Sequence, residues 1–288
     1  APMIREAAEK GSAGGRIDSP GNPQVKALRR LLTSAEERRS QGRYLVEGPR
    51  LVLAALDADA PVERLYLAPE LCRSQAVLQR LAGLEREPGA PALQELSARA
   101  FSALSQRDGP TGIAALLRRS EVSLDRVTVA PQAPVVAAWD LADPGNLGSL
   151  LRLLEAVGAA ALLLCGDAGT DPVHPTAVKA SMGALFRVPT LRASGAQVLA
   201  WARARGMVVV ATSAKADASH WAEGDGLPAL QDRSTLLLLG SERQGLPPDL
   251  LAQADRTLRI PMAGSGTSLN VTVAAGILLY ELRRRRLP

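Results

Sequence analysis

Three short polar stretches, each behind an apolar run, carry the side chains of this chain that are equipped for chemistry. Asp143-Pro144-Gly145-Asn146-Leu147-Gly148 follows the apolar Val135–Trp139, and Arg152 is set within Leu150-Leu151-Arg152-Leu153-Leu154. Leu236-Leu237-Leu238-Leu239 opens into Gly240-Ser241-Glu242-Arg243-Gln244-Gly245. Thr257-Leu258-Arg259-Ile260-Pro261 leads to Ser268-Leu269-Asn270 and a long apolar segment. In open α/β sheets, ligands bind beyond the carboxyl ends of the strands, where loops expose main-chain N–H and C=O groups. Small-residue loops bearing a few amide, hydroxyl, carboxylate and guanidinium groups suit that kind of binding.

Each stretch also has a purely structural reading. Asp143–Gly148 works as an ordinary strand-to-helix loop, with Pro144 and Gly145 for the turn and Asn146 as the helix N-cap. Arg152 is the odd residue, because a solvated charge is less expected inside a leucine-rich stretch. Gly240–Gly245 lacks the Gly-Lys-Ser/Thr ending of a P-loop and the three glycines of a dinucleotide fingerprint. Leu246-Pro247-Pro248-Asp249 leaves room for only a short helix after it. Glu242 in isolation reads equally as a solvated carboxylate, and Ser268-Leu269-Asn270 equally as the cap of the final helix.

The elements that must position these residues alternate. In the first part, helical spacing of Val25, Leu28, Leu31 and Leu32 predicts a helix over 22–40. Strands are predicted at 44–48, 64–67 and 112–117, with helices at 49–56, 74–84 and 97–104. Residues 1–17 read as a flexible tail, 18–120 as a small α/β domain, and 121–134, with two prolines and little periodicity, as a linker. From 135 to 288 strands are predicted at 135–139, 160–165, 207–211, 235–239 and around 258–260. Helices are predicted at 147–157, 175–185, 195–205 and 269–285. Near-continuous apolar strands between helices imply a mostly parallel sheet covered on both faces.

Composition narrows the function. The 288 residues carry a formal charge of +5, which favours a polyanionic partner over a membrane. Between Lys26 and Arg50 seven basic residues face three acidic ones; Lys26, Arg29, Arg30, Arg38, Arg39 and Arg43 are candidate RNA contacts. Arginine excess has two explanations, a GC-rich genome or bidentate phosphate binding. Aromatics make up only 3%, which argues against recognition by base stacking. Cys72 and Cys165 lie far apart and there are two histidines, so neither a metal site nor a disulfide framework is expected. No membrane span or signal segment is read, and the expected location is cytoplasmic.

Taken together, the motifs resemble those of the SpoU/TrmH family of RNA ribose 2′-O-methyltransferases, in the SPOUT superfamily. Its three signatures match Asn146-Leu147-Gly148-Ser149-Leu150-Leu151-Arg152, Gly240-Ser241-Glu242-Arg243-Gln244-Gly245-Leu246, and Ile260-Pro261-Met262 through Ser268-Leu269-Asn270-Val271. Lys179-Ala180-Ser181-Met182-Gly183 and the Tyr44–Gly48 and Gly109–Ile113 segments are also similar to family segments. The resemblance implies an L30e-like N-terminal RNA-binding domain and a C-terminal α/β methyltransferase domain with a deep trefoil knot. It implies S-adenosylmethionine as methyl donor, Arg152, Asn146, Glu242, Ser268 and Asn270 at the reacting centre, and a homodimer. Leu239, Gly240, Glu242, Gly245, Ile260, Met262, Ser268 and Leu269 would hold the cofactor; Lys179 would contact RNA, although the family more often has arginine there. Large-subunit (23S) ribosomal RNA is the leading substrate. The alternatives are a tRNA 2′-O-methyltransferase, an inactive RNA-binding relative, and a nucleotide- or NAD-binding oxidoreductase, the last disfavoured by the missing glycine fingerprint.

Overall fold

The computed structural model describes residues 15–84, 87–119, 122–167, 169–222, 224–241, 244–264 and 268–284. The chain divides at 120/121 into two units, with Val173–Pro175 grouping with the first.

In the first unit Asn22 caps helix α1 (Pro23–Thr33) by accepting from Gln24 N, and Pro23 fits the first turn, where no N–H is needed. Val25, Leu28, Leu31 and Leu32 are buried. The single helix expected over 22–40 is instead two. Ser34 is extended (φ −121°, ψ 119°) and its hydroxyl accepts from Glu37 N, so it starts α2 (Ala35–Gln41). A serine that can satisfy an orphan amide favours a cap over a helix interior. Strands β1 (Arg43–Glu47), β2 (Val62–Leu67), β3 (Ala92–Glu95) and β4 (Ile113–Arg118) form a sheet of order β1-β4-β2-β3. Its β1/β4 and β2/β4 pairs are antiparallel and β2/β3 is parallel. Helices α3 (Pro49–Asp57), α4 (Gln75–Leu84) and α5 (Ala98–Leu104) complete the unit. One apolar cluster joins α1 and α5 to the sheet through Leu28, Leu31, Leu45, Phe101 and Ala114.

The second unit is built on seven parallel strands: β5 (Val135–Trp139), β6 (Ala161–Cys165), β7 (Thr190–Arg192), β8 (Val208–Thr212), β9 (Ala218–Ser219), β10 (Thr235–Leu239) and β11 (Arg256–Arg259). Their order is β7-β6-β5-β10-β8-β11-β9. The helices are α6 (Pro144–Ala156), α7 (Pro175–Ser181), α8 (Gly195–Ala204), α9 (Pro248–Ala252) and α10 (Val271–Arg283). Period-2 side chains split into two layers. Val136, Leu162, Val210 and Leu237 pack toward α6 and α10, while Val135, Leu163, Val209 and Leu238 pack toward α8. Both faces are thus covered, which is why the strands read as unbroken apolar runs. The expected linker is no free tether: Val127 is buried in the second layer and Leu124 O accepts from Trp201 Nε1 at 2.9 Å.

The strand order interleaves. β10 enters between β5 and β8, and β11 between β8 and β9, although both follow β9 in the chain. A knotted connection needs such returns across strands already laid down.

Candidate active site

The three polar stretches lie after β5, β10 and β11, at the carboxyl ends of neighbouring parts of one parallel sheet. After β5, Asp143 rather than Asn146 is the N-cap of α6: its Oδ1 accepts from Asn146 N at 2.6 Å. The cap expected at Asn146 is therefore corrected. The signal was Pro144, since proline favours the first helical position and so marks the residue before it as the cap. Relieved of capping, the Asn146 side chain is turned to a distant partner. Its Oδ1 accepts from Asn270 Nδ2 at 3.0 Å, across 124 positions of sequence. Thr272 Oγ1 also donates to Asn146 O at 3.3 Å. Asn270 in turn caps α10, accepting from Thr272 N at 2.9 Å and Val273 N at 3.4 Å. The asparagines of the first and third stretches therefore form one structure that locks the starts of α6 and α10 together.

The stretch after β10 closes on itself. Ser241 N donates to Gly245 O at 3.1 Å and Gly245 N to Ser241 O at 2.9 Å, while Gln244 N donates to Ser241 Oγ at 3.2 Å. Both glycines are required there. Gly245 adopts φ +71°, and a Cβ on Gly240 would lie 2.5 Å from Leu246 N. Glu242, expected at the reacting centre and the cofactor, lies outside the described residues, as do 265–267 of the third stretch. Ser268 is exposed.

Because β8 separates β10 from β11, Leu239 and Ile260 leave the sheet about 10 Å apart, two strand spacings. Thr212, the last residue of β8, lies between them with its Oγ1 donating to Leu238 O at 3.0 Å. Sequence reasoning missed Thr212. Its signal was the apolar run 207–211 ending in Thr212-Ser213. Met262 and Leu269 are large hydrophobics left exposed around this edge, with half-buried main chain at Gly240, Gly245 and Ile260. Apolar walls with main-chain donors and acceptors fit a nucleoside moiety such as the one S-adenosylmethionine carries.

Arg152 is the exposed position of a stretch in which Leu150, Leu151 and Leu154 are fully buried, about 9 Å along the helix axis from Asn146. Gly148 sets the depth at which α7 docks: a Cβ there would lie 2.5 Å from Ala177 O and 2.8 Å from Ser181 N. Lys179 is exposed in the last turn of α7, which stops at Met182 and Gly183, both with positive φ. At the end of β6, burial followed by the Asp140 carboxylate pushes the Cys165 thiol up to about 11, so it is no thiolate nucleophile.

The basic face needs one correction. Arg38 is 2% exposed and its Nη1 donates to Leu31 O at 2.9 Å, satisfying a carbonyl in the last turn of α1. It is an internal strut, and not an RNA contact. Lys26, Arg29, Arg30, Arg39 and Arg43 are exposed, with Arg30 paired to Glu37 at 2.9 Å and Arg43 to Glu63 at 2.5 Å. Arg283, at the end of α10, donates to Val157 O and Gln132 O, both at 3.2 Å, and so braces the second unit. Among the described residues no His, Cys, Asp and Glu group is arranged to hold a metal ion, and no helix is long and apolar enough to cross a membrane.

Known proteins share this arrangement. The model of the SpoU rRNA Methylase family matches residues 133–280, and that of the MRM3-like substrate binding domain matches 22–115. A 23S rRNA (uridine(2479)-2′-O)-methyltransferase of Streptomyces viridochromogenes is 32% identical, over 99% of this chain and 97% of that one. The Bacillus subtilis 23S rRNA (guanosine(2553)-2′-O)-methyltransferase RlmP is 31% identical, over 93% and 99%. An AdoMet-bound rRNA methyltransferase of Sinorhizobium meliloti has a TM-score of 0.83 at 30% identity, covering 95% of this chain and 99% of that one. The methyltransferase AviRb of Streptomyces viridochromogenes, in complex with the cofactor AdoMet, has a TM-score of 0.78 at 28% identity, over 92% and 98%. A match of this extent, on a chain whose first and third motifs meet at one sheet edge, makes the protein a member of the SpoU rRNA methylase family.

Proposed function

We propose that this chain transfers the methyl group of S-adenosylmethionine to a ribose 2′-hydroxyl of large-subunit ribosomal RNA. The observation that carries the reading is the Asn146–Asn270 hydrogen bond, which ties two of the three motifs together at the carboxyl edge of the sheet. Relatives matched over nearly their whole length are named for 2′-O-methylation of 23S rRNA, which favours that RNA over tRNA.

Bound S-adenosylmethionine supplies a sulfonium-activated methyl group. Main-chain groups of Leu239, Gly240, Gly245 and Ile260 would hold its polar edges, and Met262 and Leu269 would supply apolar walls; the motifs add Ser268 and Glu242 to the cofactor-binding set. The 2′-hydroxyl is a weak nucleophile and must lose its proton as attack begins. A guanidinium with a pKa above 12 is a poor base. Arg152 therefore holds the substrate phosphate and hydroxyl in line, and the proton is released to solvent past that phosphate as the oxygen takes the methyl group. Asn146 and Asn270 fix the helix start from which Arg152 extends, converting binding energy into alignment.

An exposed stripe on α10 supports a homodimer. Val271, Ala275, Leu278, Leu279 and Leu282 are buried in its own unit, whereas Val273 and Tyr280 are 52% and 51% exposed and, with Ile277, form a second stripe at helical spacing. A second copy of the chain covers that stripe; sedimentation as a monomer at micromolar concentration would refute it. An RNA substrate and two free buried thiols suit the cytoplasm. The function is tested with Arg152→Ala: methyl transfer to ribosomal RNA is lost while calorimetry gives S-adenosylmethionine affinity within about twofold. A fully active variant removes Arg152 from the reaction.

A further inference from the structure

At one end of the first unit's sheet the backbone register gathers three arginines. Arg43 on β1 is opposite Arg118 on β4. The register of β2 against β4 shifts between Val62 and Arg64, a bulge that sets Arg64 opposite Leu116 on β4 and Ala92 on β3. Bulges re-aim side chains in this way. The arginines border a depression of about 570 Å³, also lined by Leu116, Pro91 and Tyr66, a size in the range of small-ligand sites.

We propose that this depression grips a phosphodiester segment of the RNA substrate through Arg43, Arg64 and Arg118, an inference that rests on the RNA-modifying function above. Charge carries it. Among the described residues that line the depression Glu63 is the single carboxylate, pairing with Arg43 at 2.5 Å and Arg118 at 3.0 Å, which leaves their summed charge at +2. Each guanidinium fork has five donors, more than Glu63 engages, so both keep donors for a phosphate. A second three-arginine depression, in the other unit, differs in this respect. Arg203 donates to Asp255 and Gln253 O, and Arg256 to Gly224 O, so those forks brace the chain. Planar forks match phosphate oxygens bidentately. The Tyr66 ring is 2% exposed and its hydroxyl accepts from Gln24 Nε2, so no base stacks there. The site therefore grips backbone and positions the RNA without reading sequence.

The experiment measures binding of deproteinised large-subunit ribosomal RNA across a salt series, using the full chain. Arg64→Ala combined with Arg118→Ala should weaken binding tenfold or more and reduce the log–log salt slope by about 1 to 2, with S-adenosylmethionine affinity unchanged. Glu63→Gln, which removes the competing carboxylate, should tighten binding severalfold, a gain that lost packing does not produce. A wild-type salt slope in the folded double variant, or weaker binding by Glu63→Gln, overturns the proposal. Should the wild-type chain methylate no ribosomal RNA while both binding effects persist, the enzymatic reading fails and the phosphodiester site stands.

Discussion

Asn270 performs two tasks that substitution can separate. Its Oδ1 caps α10 through Thr272 N and Val273 N, and its Nδ2 reaches Asn146 Oδ1 at 3.0 Å. Losing an N-cap costs about 1 kcal/mol. Losing a side-chain hydrogen bond costs about 1 kcal/mol more, toward the lower end here because Asn270 is exposed. Asn270→Ala should therefore destabilise by about 1.5–2 kcal/mol. For a unit of this size that lowers Tm by about 3–8 °C. Asn270→Ser retains an oxygen at the cap but is too short to reach Asn146, so it should cost only about 1 kcal/mol. Urea titrations give both values, and methyl transfer measured beside them isolates the motif link. Ser should recover part of the stability lost in Ala and still lose kcat, because the aligned start of α6 is what the link supplies. If Ser restores kcat along with stability, the asparagine pair is merely a cap and the reasoning about alignment is wrong.

Two further outcomes follow from packing and titration. Gly148→Ala places a methyl against the main chain of α7, so despite alanine's helix propensity it should destabilise by about 1–2 kcal/mol. Gly276→Ala, whose Cβ meets only Leu153 Cδ2 at 3.9 Å, should stabilise by up to about 1 kcal/mol; equal Tm shifts in the two variants would contradict the packing argument. With the Cys165 thiol near 11, its thiolate fraction at pH 8 is about a thousandth, so aromatic disulfide reagents should react with it only after unfolding. Rapid modification of the native chain at Cys165 would show that its surroundings are not as described.

The legible parts of the fold were those written in local pattern. The runs 135–139, 161–165 and 235–239 are apolar because both their faces are covered, and the cap at Asn270 follows from an amide placed before an apolar helix. Short edge strands were not legible: β3, β7 and β9 have four, three and two residues, too few for a period to register. Strand order was equally hidden. Nothing local tells that β8 lies between β10 and β11, and so Thr212 escaped notice although it ends a strand that was recognised. Arg38 was assigned to the surface by its charge, yet the break at Ser34 turns α2 so that its guanidinium meets a helix-end carbonyl. The Asn146–Asn270 contact is a tertiary event: the motif resemblance implies a shared site, and the bond itself exists only in the folded chain.

Methyl-labelled S-adenosylmethionine tests the chemistry at the ribose most directly. After incubation with large-subunit ribosomal RNA, the RNA is hydrolysed in alkali, which requires a free 2′-hydroxyl at each cleaved linkage. Label should survive in alkali-resistant dinucleotides. Label recovered only in mononucleotides, as methylated bases, would contradict the account.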